Sequence, residues 1–381
     1  MAMVACITPY DASGDLQGLT NLLVVEGTIS GGEDGTTIRL SRTVPVGQSY
    51  TYTPETGATL WVEAERTGQR TDLRESGNGN YQAVLTLDVN DRYRLSIQTR
   101  DRTLYQSEYT AVLDAPAIDS VYWDRDGDAG VRIYVDTHDP QNRTQYYRWE
   151  FDEDWEFHSY YESKLDYDWA TGEYFDRPAD QGVYYCWQQA ASNTIVTGTT
   201  DKLVENVVSR KKVHTIKYRD WRLSYIYRIR VRQYGLTKEA YEYWQTLEKN
   251  TEGLGDLFGP QPSNMTSNIV CASDPSTRVI GYISAGIPTT KDRYIENTEV
   301  APWVPADTIA DLQIVPKDTL NLQPISDSIE VLLEAGYLLI SWIHPVPGSD
   351  EVDLYYAPRV CSDCLIKGNK NRPSDWINEH Q

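Results

Sequence analysis

The chain has 381 residues and a formal net charge of −21, from 56 acidic and 35 basic side chains. Such an acidic surface repels nucleic-acid phosphates and anionic lipid headgroups, which argues against nucleic-acid binding and against membrane binding through a basic patch. Tyrosine and tryptophan, at 28 and 11, far outnumber the 4 phenylalanines, and these amphipathic rings suit antiparallel strands and half-wet surfaces.

The N-terminal segment predicts a lipid anchor. Val4, Ala5 and Cys6 fit the end of the small-residue box that precedes the lipidated cysteine of a bacterial lipoprotein. Because a charged region and a full apolar region are missing before it, we interpret residues 1–20 as the remnant of a signal followed by a tether. The alternative is an ordinary free cysteine near a start codon. No apolar run in the sequence reaches the roughly 20 residues that cross a bilayer, so membrane attachment would be covalent, at Cys6.

Residues 21–114 predict an N-terminal β-sandwich. Segments such as Thr36–Arg42 and residues 58–64 alternate apolar and polar side chains at the period of a half-buried strand. A turn signal of glycine and asparagine occupies residues 77–80. About seven short strands within roughly 90 residues, separated by turn residues, are typical of a sandwich.

Residues 115–299 predict a second β domain that contains one amphipathic helix. Residues 225–232 alternate apolar side chains with arginine, which indicates a strand with one buried and one wet face. Thr237 is a good N-cap for a helix over residues 237–252. The apolar face of this helix is formed by Ala240, Tyr243, Trp244 and Leu247.

The C-terminal residues 300–381 predict a mixed appendage that ends in a Cys-x-x-Cys pair. They hold many prolines and aspartates and one apolar run at residues 331–343. The expected fold class is therefore mainly β, with tandem immunoglobulin- or fibronectin-like sandwich domains, one inserted amphipathic helix and this appendage.

Four cysteines remain when Cys6 is set aside, and we expect them to form structural disulfides in an oxidising compartment. They are Cys186, Cys271, Cys361 and Cys364, and the sequence alone does not choose among their pairings. A redox Cys-x-x-Cys motif or half of a zinc site is the alternative for the last two. No second such motif and no histidine at finger spacing supports zinc, so we expect no metal and no cofactor.

The stretch at residues 145–187 is both acidic and aromatic, and it is the candidate for a partner or ligand surface. Its members are Trp155, Tyr160, Tyr161, Tyr167, Trp169 and Tyr174. Exposed Tyr and Trp side chains serve as anchors at protein interfaces. The alternatives are a platform for a sugar or peptide, a glycosidase cleft with paired carboxylates, and a decorated hairpin whose rings pack on their own domain.

Catalytic motifs are missing from the sequence. It has no Gly-x-Ser-x-Gly elbow, no His-Glu-x-x-His and no phosphate-binding glycine loop. Residues 124–128 resemble the start of a calcium loop, but Ala129 and Val135 stand where that loop needs glycine and glutamate. We therefore expect no catalytic residues and a protein that is not an enzyme.

Several runs together resemble the domain-of-unknown-function-4249 family of bacterial outer-membrane lipoproteins, in order and spacing along nearly the whole chain. They are residues 23–29, 38–43, 57–58, 146–150, 236–244, 250–251, 260–262, 267–269, 279–285 and 361–364, with Pro373 and Trp376. The resemblance implies a lipid on Cys6 and an extracytoplasmic protein often encoded beside a TonB-dependent transporter. It implies no catalytic residues. The basic loop at residues 367–371 departs from the glycine-rich stretch usual there.

These observations lead to one functional expectation and two alternatives. We expect an outer-membrane lipoprotein, lipid-anchored and on the cell surface, that acts as an accessory or binding subunit of a TonB-dependent transporter or another outer-membrane assembly. Its partner would be an outer-membrane β-barrel protein. The first alternative is a free-standing carbohydrate- or peptide-binding surface lipoprotein, and the second is an enzyme such as a glycosidase.

Overall fold

The computed structural model of the chain describes residues 21–32, 35–44, 52–252, 267–303, 323–324, 329–344 and 353–377. Cys6 and the predicted tether at residues 1–20 lie outside these ranges. The described residues form a mainly β protein with one long helix, as the sequence predicts.

The N-terminal domain is a β-sandwich whose strands alternate buried and exposed side chains. Ile38 and Leu40 are fully buried, whereas Thr37 and Arg39, on either side of Ile38, face outward. Asn78 and Gly79 form the two-residue turn predicted at this place, and both have the positive φ angles that a tight hairpin turn requires. The strands of this domain are β1 Leu23–Gly27, β2 Ile29–Ser30, β3 Thr36–Arg42, β4 Thr53–Pro54, β5 Thr59–Ala64, β6 Arg70–Gly77, β7 Asn80–Ala83, β8 Arg92–Gln98, β9 Leu104–Ser107 and β10 Thr110–Asp114.

The second domain packs a three-stranded sheet, in the order β11-β12-β18, against a sheet in the order β16-β13-β19-β23, with β17 also paired to β13. Tyr147, Trp149 and Tyr227 are fully buried between the two sheets. The strands are β11 Ile118–Arg125, β12 Val131–His138, β13 Tyr146–His158, β14 Leu165–Asp168, β15 Glu173–Asp176, β16 Tyr185–Ala191, β17 Val196–Thr199, β18 Val207–Ile216, β19 Ile226–Leu236 and β23 Thr289–Glu296.

Three short strands between β19 and β23 lie within the range predicted for the second domain, yet they pair with strands of the first. They are β20 Ile269–Cys271, β21 Val279–Gly281 and β22 Ala285–Ile287. β20 pairs with β9, β21 lies parallel to β1, and β22 lies parallel to β10 and β2. The sequence places these strands in residues 115–299 because it shows only the order of the elements along the chain. Pairing with strands more than 150 residues away leaves no local signal in the sequence.

The long helix, α1, spans Lys238–Glu252 at the end of β19. The Thr237 hydroxyl accepts a hydrogen bond from the Ala240 N–H at 3.2 Å, so Thr237 is the N-cap that the sequence predicts. Ala240 and Tyr243 are buried, and Ala240 packs with Tyr234 and Leu236 of β19. Among the helices of the described ranges, none is long and apolar enough to cross a membrane.

The C-terminal appendage combines a small sheet with short helices. Gly336, with a φ of +85°, divides the apolar run at residues 331–343 into a helix and a strand. The elements are β24 Gln323–Pro324, α2 Ile329–Glu334, β25 Tyr337–Ile343, β26 Asp353–Pro358 and α3 Arg359–Ser362, with the strands in the order β24-β26-β25.

Single 3-10 turns span Gly127–Ala129, Ala179–Gln181, Trp221–Leu223, Asn297–Val300 and Cys364–Ile366.

One disulfide joins the appendage to the second domain. Cys186 of β16 is bonded to Cys364, across a sequence separation of 178 residues. Cys271 and Cys361 are free thiols, both buried, so the expectation that all four cysteines form bridges is wrong for this pair. Cys271 lies on β20 in the core of the N-terminal domain, whereas Cys361 lies on α3 of the appendage. The two thiols therefore lie in different parts of the fold and are not bonded to each other.

Candidate functional site

The acidic and aromatic stretch contains a two-stranded hairpin, which we call the aromatic hairpin, residues 165–176. Its strands β14 and β15 pair antiparallel, with Leu165 opposite Asp176 and Tyr167 opposite Tyr174. Leu165 and Tyr167 pack against Leu339 of the appendage. One side of the hairpin is therefore fixed against β25, which orients the other side.

The aromatic hairpin exposes large rings at its tip and on both of its faces. Trp169 is 61% exposed, Phe175 43% and Tyr174 36%, and Tyr160 just before the hairpin is 58% exposed. All four residues of β15 are exposed, and within the described residues β15 pairs only with β14. Monomeric proteins rarely gather several exposed rings in one place without an interaction to make, so this is the candidate docking surface.

Two of the predicted surface residues are instead buried. Trp155 is 5% exposed, because it lies on the inward face of β13 beside Phe151 and Phe157. Its ring is nearly perpendicular to that of Trp221, and the two ring centres are 5.6 Å apart. Tyr167 is 7% exposed, and its hydroxyl donates a hydrogen bond to Glu330.

The rest of the predicted set forms two groups: Tyr160 contacts Tyr161, whereas Trp169 and Tyr174 both lie beside Tyr167 in the hairpin. Tyr161 is half-buried and stacks edge-on with Tyr160 at 4.8 Å. The surface therefore keeps Tyr160, Trp169 and Tyr174 and adds Phe175. Sequence reasoning missed Phe175, which lies on the opposite face of β15 from Tyr174, because no pattern in the sequence shows that both faces of this short strand are exposed.

The outer face of the sheet formed by β13 and β19 carries a ladder of opposite charges. Alternate residues of a strand share a face, so the acids and arginines of the two strands stand side by side. Glu150 pairs in register with Arg232, Asp152 with Arg230, and Asp154 with Arg228. The ion pairs are Arg148–Glu150 at 2.6 Å, Arg228–Asp154 at 2.6 Å, Arg230–Asp292 at 2.8 Å and Arg232–Asp152 at 3.2 Å.

This ladder forms the floor of a depression that we call the charged groove, lined by Arg148, Glu150, Asp152, Asp154, Arg228, Arg230 and Arg232. Two adjoining cavities of about 450 and 560 Å³ occupy it, and both are lined by Asp152 and Ala191. Thr28 and neighbouring residues of the N-terminal domain wall the smaller cavity. Residues 373–375 wall the larger one. The sequence shows the arginines of β19 but not the two distant segments that enclose them.

The C-terminal tail, residues 367–377, lies across one end of the charged groove. Asp375 pairs with Arg228 at 2.8 Å and also with Arg230, and their hydrogen bonds lower the pKa of Asp375 to about 2. The Trp376 indole N–H donates to Glu156 at 2.9 Å. The backbones of Trp187 and Asn369 exchange two hydrogen bonds of 2.9 and 3.1 Å. Tail and sheet are therefore joined by main-chain, aromatic and charged contacts.

A second charged cluster is enclosed between the two sheets of the second domain. Glu153 is 4% exposed and accepts hydrogen bonds from Arg222 and the Tyr227 hydroxyl, each at 2.7 Å. His214 Nε2 is 3.2 Å from the same carboxylate oxygen. Burial opposes ionisation of Glu153, but these neighbours outweigh it and lower the pKa of Glu153. The cluster therefore holds an ionised carboxylate in the core, where it contributes to structure.

The chemistry available at these sites is recognition by rings and by paired charges. Within the ranges that the structure describes, no group of three or more His, Cys, Asp or Glu side chains is arranged to hold a metal ion. The groove offers hydrogen-bond acceptors held in place by arginine, and the aromatic hairpin offers apolar contact area with a polar margin.

Comparison with solved structures gives a likeness to the crystal structure of the FN1–FN3 domains of chicken CNTN1, with 14% identity and a TM-score of 0.19. The match covers 57% of this chain, and the chain spans 64% of that structure's length. No curated protein matches the chain. The family model described as "Domain of unknown function (DUF4249)" matches residues 7–292. The chain therefore belongs to the DUF4249 family.

Proposed function

We propose that this chain is an outer-membrane lipoprotein, lipid-anchored at Cys6, that acts as a non-catalytic accessory or binding subunit of a TonB-dependent transporter or another outer-membrane assembly. The observation that supports it most is the exposed ring surface of Tyr160, Trp169, Tyr174 and Phe175. The partner is an outer-membrane β-barrel protein, and the protein lies on the cell surface.

The composition of the aromatic hairpin suits a partly polar interface. Trp and Tyr are enriched among the residues that contribute most to binding, and a polar rim around them excludes water. Asp168 and Glu173 stand next to the rings at the tip, and Asp176 ends β15. Because β14 is fixed against the appendage, the backbone that carries the rings is already ordered before a partner binds, which favours affinity.

Membrane anchoring reduces the affinity that such an interface needs. A lipid on Cys6 would confine the protein to the surface that holds the barrel, which raises the effective concentration of each for the other. The bacterial modification carries several acyl chains, and more than one chain is needed for stable anchoring.

The experiment is affinity capture of the full-length, anchored protein after gentle detergent extraction, followed by identification of the captured partner. Capture should recover a β-barrel protein, and the double substitution Trp169→Ala with Phe175→Ala should reduce its recovery strongly. Val204→Ala is the matched control, since Val204 is fully exposed in another part of the second domain. Recovery of the lipoprotein alone, with normal transport in a deletion strain, would overturn the proposal.

A free-standing peptide- or carbohydrate-binding lipoprotein is the second candidate, and the charged groove favours it. Ligand sites occur preferentially at domain junctions, and the smaller cavity lies between the N-terminal and second domains. This candidate predicts ligand binding by the purified protein without a barrel, and insensitivity of that binding to the two hairpin substitutions.

A further inference from the structure

The outer part of the C-terminal tail, residues 371–377, is attached to the sheet in a different way from the base of the tail. The base is joined to β16 by the two hydrogen bonds between the backbones of Trp187 and Asn369. In the outer part, the N–H groups of Arg372 and Trp376 donate to carbonyls of the tail itself, at 2.9 and 3.1 Å. Trp376 is the only buried residue of this part. The outer part can therefore leave the sheet without breaking a β-ladder.

The side of the sheet that receives the tail is held in place by its own ion pairs. Arg228 donates to Asp154 of β13 from its Nε at 3.0 Å and from its Nη2 at 2.6 Å. Arg230 donates to Asp292 of β23 through two hydrogen bonds of 2.8 Å. Both guanidinium groups are therefore already in position for the carboxylate of Asp375, which contacts them both. Groups that are ordered in advance bind a ligand at a low cost in conformational entropy.

The two arginines select a carboxylate as the group that lies between them. Their hydrogen bonds to Asp375 lower the pKa of that residue to about 2. The charged form of the acid is therefore favoured at this position, even though other carboxylates of the ladder are nearby. A basic side chain in the same place would be repelled by both guanidinium groups. The occupant of this position is therefore an aspartate or a glutamate.

The position next to the carboxylate selects an aromatic ring with a hydrogen-bond donor. Trp376 is 5% exposed and packs with Trp187 and Ile226. Its ring centre lies 5.4 Å from that of Tyr294, and the two ring planes are inclined at 71°. Its indole N–H donates to the buried carboxylate of Glu156 at 2.9 Å. The site as a whole therefore receives an acidic residue followed by tryptophan.

The tail does not fill the space that it covers. The larger cavity of the charged groove, of about 560 Å³, is enclosed by residues 373–375 on one side and by the sheet on the other. Structural contacts within proteins are close-packed, whereas this segment leaves room beneath it for more atoms. The Asp375 side chain is 47% exposed, so solvent screens its ion pairs and eases its exchange for another acid. A larger segment with the same acid and ring would make the same contacts and fill the cavity as well.

We propose that this part of the charged groove is a docking site for a partner polypeptide that presents an acidic residue followed by tryptophan, and that the tail occupies the site until the partner displaces it. An identical tail from a second copy would leave the same cavity, so we assign the occupant to a different protein. Because the tail is tethered, its effective concentration is high, and it competes with the partner. The proposal does not depend on the aromatic hairpin, on Cys6 or on a barrel partner.

The test uses the purified full chain and a fluorescent peptide with the sequence of residues 369–377 as the probe. The release variant carries Asp375→Asn and Trp376→Ala, which free the site and leave the sheet unaltered. A second probe carries the same two replacements. The control variant carries Asp72→Asn and Trp342→Ala, at exposed positions outside the groove. Fluorescence anisotropy measures binding, and melting temperatures verify that both variants are folded.

The release variant should bind the probe at least about tenfold more tightly than the unmodified chain, since a tail in place for about nine-tenths of the time reduces the apparent affinity about tenfold. The control variant should bind like the unmodified chain, and the second probe should bind the release variant at least about tenfold more weakly than the first. A folded release variant that fails to bind the probe, or equal binding of the two probes, would overturn the proposal. A dimer of the unmodified chain that light scattering detects, and that the release variant loses, would also overturn it, because a second copy would then be the occupant.

Discussion

Arg228 Nη1 lies 2.8 Å from Asp375 Oδ1, and this ion pair joins the C-terminal tail to the middle of the β13–β19 sheet. The same guanidinium donates its Nε and Nη2 hydrogens to Asp154, so one buried arginine links two strands and the tail. Charge-assisted contacts of this kind are the strong ones, and they fix the tail in one position.

Asp375 makes the stability of the tail dependent on pH. Its pKa in the folded protein, about 2, lies below its ordinary 3.8. Its contribution to the free energy of unfolding is therefore present above about pH 4 and is lost as the pH falls toward 2. Because the side chain is 47% exposed, solvent screening limits the contribution to about 1 kcal/mol or less. Urea unfolding of Asp375→Asn should show reduced stability at pH 7 and convergence with the unmodified chain near pH 2. A constant difference across this range would contradict the assignment.

Trp155 and Trp169 should respond in opposite ways to truncation, although the sequence places both on one surface. Trp155→Ala should lower the free energy of unfolding by about 3–5 kcal/mol, because it leaves a cavity in the core of the second domain. Trp169→Ala should change it by about 0.5 kcal/mol or less, since the ring is mostly exposed. Chemical denaturation measures both. A large loss in Trp169→Ala would show that the hairpin tip is structural.

The disulfide should be confined to Cys186 and Cys364. Cys186→Ser should lower the free energy of unfolding by about 3 kcal/mol, because the bond closes a long loop. Cys361→Ser should leave the bond intact, since burial raises the pKa of the Cys361 thiol to about 11 and keeps it protonated and unreactive. Mass spectrometry of non-reduced peptides identifies the pair. Stoichiometric zinc with free thiols, or a bond between Cys361 and Cys364, is the contrary result.

Glu153 should be important for folding, and its contribution should disappear in acid. Its pKa lies below the ordinary 4.5, so the stabilisation is present above that pH and is lost as the pH falls further. Glu153→Gln should cost about 3 kcal/mol, because it leaves the partly buried Arg222 without a full counter-charge. Thermal unfolding at pH 7 and at a series of pH values below 4.5 tests both statements. Tyr227→Phe, which removes only the hydroxyl donor, should cost less.

Membrane attachment should depend on Cys6. In a precursor with a complete signal, Cys6→Ser should move the protein from the membrane fraction to the soluble fraction, because the acyl chains would have no attachment point. Fractionation followed by immunoblotting measures the shift. Substitution of the buried Cys271 by serine controls for loss of a thiol, and unchanged retention of Cys6→Ser would refute lipidation as the anchor.

The sequence predicts those features that have a local signal. The period of two along β3, the turn at Asn78 and Gly79, and the N-cap at Thr237 all occur as expected, because each depends on residues within one turn or strand. The exposure predicted for Trp155, by contrast, is wrong, since its side chain is buried. Its strand, β13, is 13 residues long with alternating faces, and the acidic residues around it belong mostly to the opposite face.

The charged groove could not be predicted, because its walls come from distant parts of the chain. The alternation of arginine in β19 indicates one polar face, and the structure confirms that face. However, two arginines on this face of the sheet are buried, Arg228 of β19 and Arg148 of β13. Residues 373–375 cover Arg228, and the N-terminal domain covers Arg148. Local patterns report the chemistry of a strand but not the segments that later cover it.

The three strands at residues 269–287 have a consequence for how the chain folds during synthesis. The N-terminal domain begins at β1, yet β21 and β22 must add to its sheets in parallel beside β1 and β10. A nascent chain that has reached residue 114 therefore presents unpaired strand edges, which invite aggregation until those strands arrive. A fragment ending at residue 114 should be poorly soluble when expressed alone, and the two domains should unfold in one cooperative transition.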